Sequence, residues 1–278
     1  MNMKWRKRIF GKILPYAILS LIGICFLLPL LWVLIASFDS SASQALQIPK
    51  NVTLGNYLNV LTNQTNQRSF AIGLLISILQ TIFVVIAAGL CAYPLSRYQM
   101  KHKKSFMYSI LFMTSLPITA LMVPVYQLFI TIKLYDNIFG VILFLTASAL
   151  PYAIWMMKNF MDAIPIELEE AAWVDGAGVL TTIRKVITPV MLPGIFTVAI
   201  YTFSGSWGNF FVPYILISTA EKYPASVMLY QFFGNHGMIA YGPLAAYSVL
   251  YATPSIMLYV ISQKYMSKGF SMQGAAKG

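Results

Sequence analysis

Acidic side chains are scarce: the 278 residues hold eight Asp and Glu against nineteen Lys and Arg, and only 10% of the chain is charged. A soluble domain keeps about 25% of its residues charged, so this composition, 58% hydrophobic, excludes a soluble fold and describes an integral membrane protein. All eight acids and both histidines, His102 and His236, fall outside the long apolar runs. Proton-driven carriers use ionisable groups within their spans, so the pattern argues against proton coupling, while sodium held by carbonyls stays open. Only two cysteines occur, Cys25 and Cys91, both within apolar runs. They read as small buried residues and imply no disulfide framework. The strings H-E-x-x-H, G-x-S-x-G and G-x-x-x-x-G-K-S/T are missing, as is any acid pair inside an apolar run. The expectation is a chain that is not an enzyme, with no metal, cofactor or ATP site of its own.

What is present is six apolar runs, at 13–38, 70–96, 106–132, 138–157, 190–217 and 241–263. Each is long enough to cross about 30 Å of hydrocarbon as a helix. A basic start followed by an apolar run imitates a signal peptide, but this run is about twice the usual length of one, so 13–38 is read as an uncleaved first span after a short N-terminus, 1–12. With the N-terminus inside, the inner segments hold fifteen basic residues and the outer loops four, Lys50, Arg68, Lys133 and Lys222. That bias puts both termini and the segment 158–189 in the cytoplasm. It also accounts for the basicity of the chain without nucleic acid. The fold class expected is an all-α membrane protein, one transmembrane domain over 1–278, six helices, N-in and C-in, with a cytoplasmic tail over 264–278.

Five of the eight acids, Asp162, Glu167, Glu169, Glu170 and Asp175, crowd into one short window between spans four and five. Pro165 suits a first helical turn, and acids there meet the positive end of the helix dipole. Ala171 and Ala172 leave a flank without bulk. Gly176 and Gly178 break the helix, and a second runs from Thr181 to Thr188, ended by Pro189. Such a knuckle either seats in a socket on another protein or is a capped helix with solvated acids. In the first outer loop, Thr53 could cap a short helix whose Leu54, Tyr57, Leu58 and Leu61 form one apolar stripe. Span five holds Tyr201, Ser204, Ser206, Trp207 and Asn209, which would either face a sugar through rings and hydroxyl-binding groups or glue helices together.

The string Ile164-Pro165-x-Glu167-Leu168-Glu169-Glu170-Ala171-Ala172-x-x-Asp175-Gly176-Ala177, followed by Ile187-x-Pro189, resembles the EAA loop of permease subunits in bacterial ATP-binding-cassette importers, closest to the maltose type. Ala92-Tyr93-Pro94-Leu95-Ser96-Arg97 is similar to that family's Ala-Tyr-Ala-Leu-x-Arg, with proline in place of alanine, which predicts a bend. The resemblance implies that 158–189 is a coupling loop docked on an ATPase through Glu167, Glu169, Glu170, Ala171, Ala172, Asp175, Gly176 and Ala177, with Glu169, Glu170 and Asp175 pairing with basic groups there. It implies further ATPase contact from Gly274, Ala275 and Lys277 in the tail. The partners implied are a second permease subunit, two cytosolic ATPase subunits carrying ATP and Mg, an external solute-binding protein, a carbohydrate and the lipid of a bacterial cytoplasmic membrane. In similar permeases Trp-Asn-Glu/Asp stands where this chain has Trp207-Gly208-Asn209. The alternatives are a non-sugar solute in the same importer class, or a sodium-coupled carrier.

Overall fold

The computed structural model describes residues 3–45, 47–49, 51–234 and 239–275, with side chains described for 14–45, 47–49, 51–232 and 239–263. Among these residues helices are joined by turns and loops, with an isolated bridge between Asp39 and Val52. In chain order the helices are α1 (Met3–Ser37), α2 (Gly55–Thr62), α3 (Gln64–Arg97), α4 (Lys103–Met113), α5 (Ile118–Thr131), α6 (Ile138–Asp162), α7 (Glu167–Val174), α8 (Val179–Thr182), α9 (Thr188–Trp207), α10 (Phe211–Leu216), α11 (Ala225–Gly234) and α12 (Tyr241–Ala275). The chain resolves into two compact units where the composition implies one domain: Met1–Gln67 with Leu229–Ala252, and Arg68–Met228 with Thr253–Gly278.

In the first unit, the most apolar stretch of α1 is not buried within the protein at all. Its leucines, isoleucines and Phe26 point outward, as suits a helix surrounded by hydrocarbon, where every backbone group is satisfied internally. Its end is pinned. Asn56 of α2 is buried, and its side-chain amide donates to the carbonyls of Ser37 (3.1 Å) and Asp39 (2.9 Å). Tyr57 meets Ser37 at 2.8 Å and packs its ring on Phe38. The apolar stripe of α2 faces outward except at Tyr57. Leu54, Leu58 and Leu61 are exposed, while Asn56 and Val60 turn inward. Thr53 stands one residue ahead of its expected capping place and accepts from the Gly55 N–H at 2.9 Å.

The second unit has a buried cluster at each end. One joins Val84, Ala88 and Ala92 of α3 to Ile110, to Ala153, Met157 and Met161 of α6, and to Ile187 and Met191. The other joins Ile72 and Ile76 to Met122, Phe129, Val141, Leu145, Val212 and Leu216. Small residues let the backbones approach, which matters most where lipid gives no hydrophobic drive between helices. A Cβ on Gly194 would lie 2.6 Å from the Phe160 ring, so α6 and α9 touch there with no space for a larger residue.

Three expectations change. The run 106–132 is two helices, α4 and α5, bent by 90°. Thr114 and Ser115 turn their hydroxyls back onto Leu111 and Phe112 carbonyls, and Pro117 stands extended at the start of α5. Five helices are thus long and apolar enough to cross a membrane, or six if the bent pair is one span. Pro189 does not end the second helix of the knuckle, since Val179–Trp207 runs unbroken. A π-helical turn over Ile183–Ile187 takes up the strain of a proline that would otherwise clash one turn back, and both the N–H and the hydroxyl of Thr188 reach the Ile183 carbonyl. Cys25 and Cys91 are exposed, each lying on a helix face turned away from the packed interior.

Candidate functional site

The acidic knuckle is the best-formed surface feature of the second unit. In α7, Glu167, Glu169 and Glu170 occupy the first turn, near the positive helix end. The helix closes in a Schellman motif: the Gly176 N–H bonds the Trp173 carbonyl at 3.0 Å and the Ala177 N–H bonds that of Ala172 at 2.9 Å. Gly176 sits at φ +82°, a conformation costing a residue with a Cβ about 1–2 kcal/mol. Space above both Gly176 and Gly178 is open, with no heavy atom within 4 Å of where a Cβ would stand.

The knuckle residues divide by exposure. Glu167, Glu170, Ala171, Asp175 and Gly176 are exposed, and Ala172 and Ala177 half-buried. Beside them stand apolar residues that no pattern singled out: Val174 is 87% exposed and Leu180 80%, with Trp173 and Val179 also out. Apolar side chains rimmed by acids on a projecting turn mark an interaction surface.

Glu169 has a different use from the one expected. It is 1% exposed, its Oε1 takes the Arg97 Nε–H, and its Oε2 accepts from the Tyr93 hydroxyl at 2.9 Å. Arg97 also donates to the Ile164 carbonyl at 3.1 Å, and Ser96 donates to Asp162 at 2.6 Å. A pairing of Glu169 with basic groups on another protein gives way to an internal pair. The cue was available in the spacing: successive residues turn by 100° around a helix, so acids at 167 and 169 point to nearly opposite sides. Arg97 and Tyr93 carry no such cue, because their partner lies more than seventy residues away.

The residues singled out in span five do not form one group. Tyr201 and Ser204 are exposed, and the Tyr201 ring lies 4.8 Å from that of Tyr152. Trp207 is 3% exposed and stacks on Phe203, with Gly73 closed against it. Asn209 lies beyond the end of α9, where its side chain accepts from the Val212 N–H at 3.0 Å and its carbonyl accepts from Ser226 at 2.9 Å. Trp207 is thus packed in the interior, and Asn209 ties the start of α10 to Ser226. In the tail, α12 continues as helix through Gly274 and Ala275, while Lys277 lies outside the described residues.

At the other end of this unit a second charged knot joins the α5–α6 turn to the segment after α10. The Asp136 carboxylate accepts from the Ser218 and Thr219 N–H groups, the Thr219 hydroxyl and Lys222 Nζ, at 2.6 to 3.0 Å. Burial pushes the Asp136 carboxyl up, but hydrogen bonds from Lys222, Thr219 and Ser218 outweigh it and hold the group well below the usual carboxylate range. Among the described residues, no three His, Cys, Asp or Glu side chains gather as a metal site would need.

Comparison with known proteins places this arrangement. A probable ABC transporter permease protein of Pyrococcus horikoshii is 32% identical over 96% of this chain and 97% of its own. The trehalose transport system permease protein of Mycobacterium tuberculosis is 30% identical, over 91% of this chain and 93% of its own. A crystal structure of a bacterial ABC transporter that imports the acidic polysaccharide alginate contains a chain of the same fold, with a TM-score of 0.82 at 23% identity over 95% of this chain and 98% of that one. Residues 85–270, from the middle of α3 past the knuckle into α12, match the family model described as the inner membrane component of binding-protein-dependent transport systems, and the chain belongs to that family of inner-membrane permeases.

Proposed function

We propose that the chain is the permease subunit of an ATP-driven importer, passing a sugar or oligosaccharide across the cytoplasmic membrane. An external binding protein delivers the solute, a sister permease completes the pathway, and two cytosolic ATPase subunits, which hold ATP and Mg, drive alternating access. The bent pair α4–α5 counts as one crossing, giving six with both termini inside. The observation that carries this reading is the projecting knuckle with its open glycines and exposed apolar rim, in a chain with no phosphate-binding loop of its own. Exposed Glu167, Glu170 and Asp175 would meet basic groups on the ATPase, and Val174 and Leu180 would fill its socket. Rings and hydroxyls suit a sugar, which supports a solute-facing role for Tyr201, Ser204 and Tyr152. The trehalose and alginate systems among the similar proteins support carbohydrate as the solute class.

Ala172→Asp and Gly178→Val test the docking. Gly178 has φ −74° and ψ 162°, a conformation valine accepts, and among the described residues nothing beyond its chain neighbours lies within 4 Å of where a Cβ would stand. Both variants are expected to insert and keep the chain's stability within about 0.5 kcal/mol, yet to abolish solute-stimulated ATP turnover in the assembled complex. Parental turnover in both would remove the knuckle from the coupling path.

A further inference from the structure

The chain from Asp162 to Glu169, which carries the knuckle, is gripped at three points by the last turn of α3: Ser96 on Asp162, Arg97 on the Ile164 carbonyl, and Arg97 with Tyr93 on Glu169. Tyr93, Ile164 and Glu169 are all buried, and the Arg97 side chain is 7% exposed. Side chains screened from water in this way hold a fixed geometry, because leaving it strands a charge. Nothing in the covalent chain requires this link, since α7 is connected in sequence to α6 and α8 and not to α3. From Arg97, α3 runs unbroken through Pro94 to Gln64, a rod about 50 Å long at 1.5 Å per residue. Along that rod Gln80 donates to the Leu145 carbonyl at 3.1 Å, and near its far end Gly73 lies against Trp207 and Ala225 so closely that a Cβ would stand 3.0 and 3.3 Å from them.

We propose that Arg97, Glu169 and Tyr93 form a strut through which movement of the knuckle is delivered to α3, making α3 the lever that reaches the Trp207 and Ala225 contact. This rests on the reading of the knuckle as the ATPase docking element and adds the route of force behind it. The three are positioning residues. Glu169 is the one knuckle acid committed to the chain's own interior, which leaves Glu167, Glu170 and Asp175 for the partner. A guanidinium held on one side by a carboxylate and on the other by a backbone carbonyl resists displacement in both directions. Apolar substitutes would pack but slide.

The test uses the complete importer with its binding protein, in lipid nanodiscs. Arg97→Met with Glu169→Met removes both charges together, so neither is stranded and the fold is kept. ATP consumed per solute imported is expected to rise at least about fivefold, the lower range of a coupling free energy, while melting of the complex and a cross-link from Ala171→Cys to the ATPase stay as in the parent. Arg97→Lys, which keeps a charged donor, is expected to restore most of the ratio. Spin labels at Thr181 and Tyr98, with Cys25 and Cys91 replaced by serine, should hold a constant separation through the ATP cycle in the parent and a broadened one in the double variant. Parental ATP cost in the double variant would overturn the strut, and so would a label separation in the parent changing by more than about 2 Å, the scale of a helix shift. Loss of the Ala171 cross-link in the double variant would make the pair a folding element and overturn it too. A cross-link missing already in the parent would instead sink the docking reading beneath it.

Discussion

The two charged knots of the second unit use the same chemistry at opposite ends and differ in how much water reaches them. In the Arg97–Glu169 pair the side chains are 7% and 1% exposed; in the Lys222–Asp136 pair they are 37% and 22%. Both join segments more than seventy residues apart, and in both a carboxylate gathers donors from two directions. Burial separates their uses. A sealed pair tolerates no loss of one partner, so its geometry is stiff, whereas a wet pair can be replaced by water and answers to salt and pH.

The largest effect expected is at the sealed pair. Arg97→Met alone leaves the Glu169 charge buried without its counterion and should destabilise the chain by about 3–5 kcal/mol, while adding Glu169→Met should recover most of that loss. Melting of the purified complex reads both, and a harmless single variant would mean that water enters the pair. Next comes Asp136→Asn, with a loss of about 1–2 kcal/mol in hydrogen bonds, shrinking at high salt. The carboxyl titrates lower in the folded chain than its unfolded value near 4, so its contribution is complete above about pH 4 and drains away as the pH falls further. The gap in melting temperature between parent and Asp136→Asn should therefore hold from pH 6 to about pH 4 and begin to narrow toward about pH 3; a gap that does not narrow would detach the knot from titration. The smallest effect expected is at Lys158–Asp162, an i,i+4 pair whose carboxylate is 41% exposed. Lys158→Ala should cost no more than about 0.5 kcal/mol.

Much of the knuckle was legible in the linear string. Acids in a first turn, two alanines and a glycine four residues on define a short helix with a left-handed stop, and Gly176 holds the positive φ that such a stop demands. The side to which Glu169 points follows from its placement around the helix and not from the number of acids in the window. In span five the composition suggested one polar face, yet Trp207 packs inward and Asn209 caps the next helix. A tryptophan near serines looks the same in sequence whether it lines a route or fills a core, and the difference is made by Phe203, Phe70 and Gly73 around it. The prolines also divided by context. Pro117 stands at a 90° break, while Pro94 and Pro189 lie within continuous helix, since a neighbouring π-turn or helix end can absorb the missing N–H.

The membrane class, the positions of the apolar runs and the acidic helix with its glycine stop follow from the sequence alone, because composition and periodicity act over a few turns and need no distant partner. The rotation of each helix about its axis, the break at Pro117 and the union of Arg97 with Glu169 were decided only by the tertiary structure. Those depend on which side chains from remote segments fill a shared space, and a linear pattern holds no record of that choice.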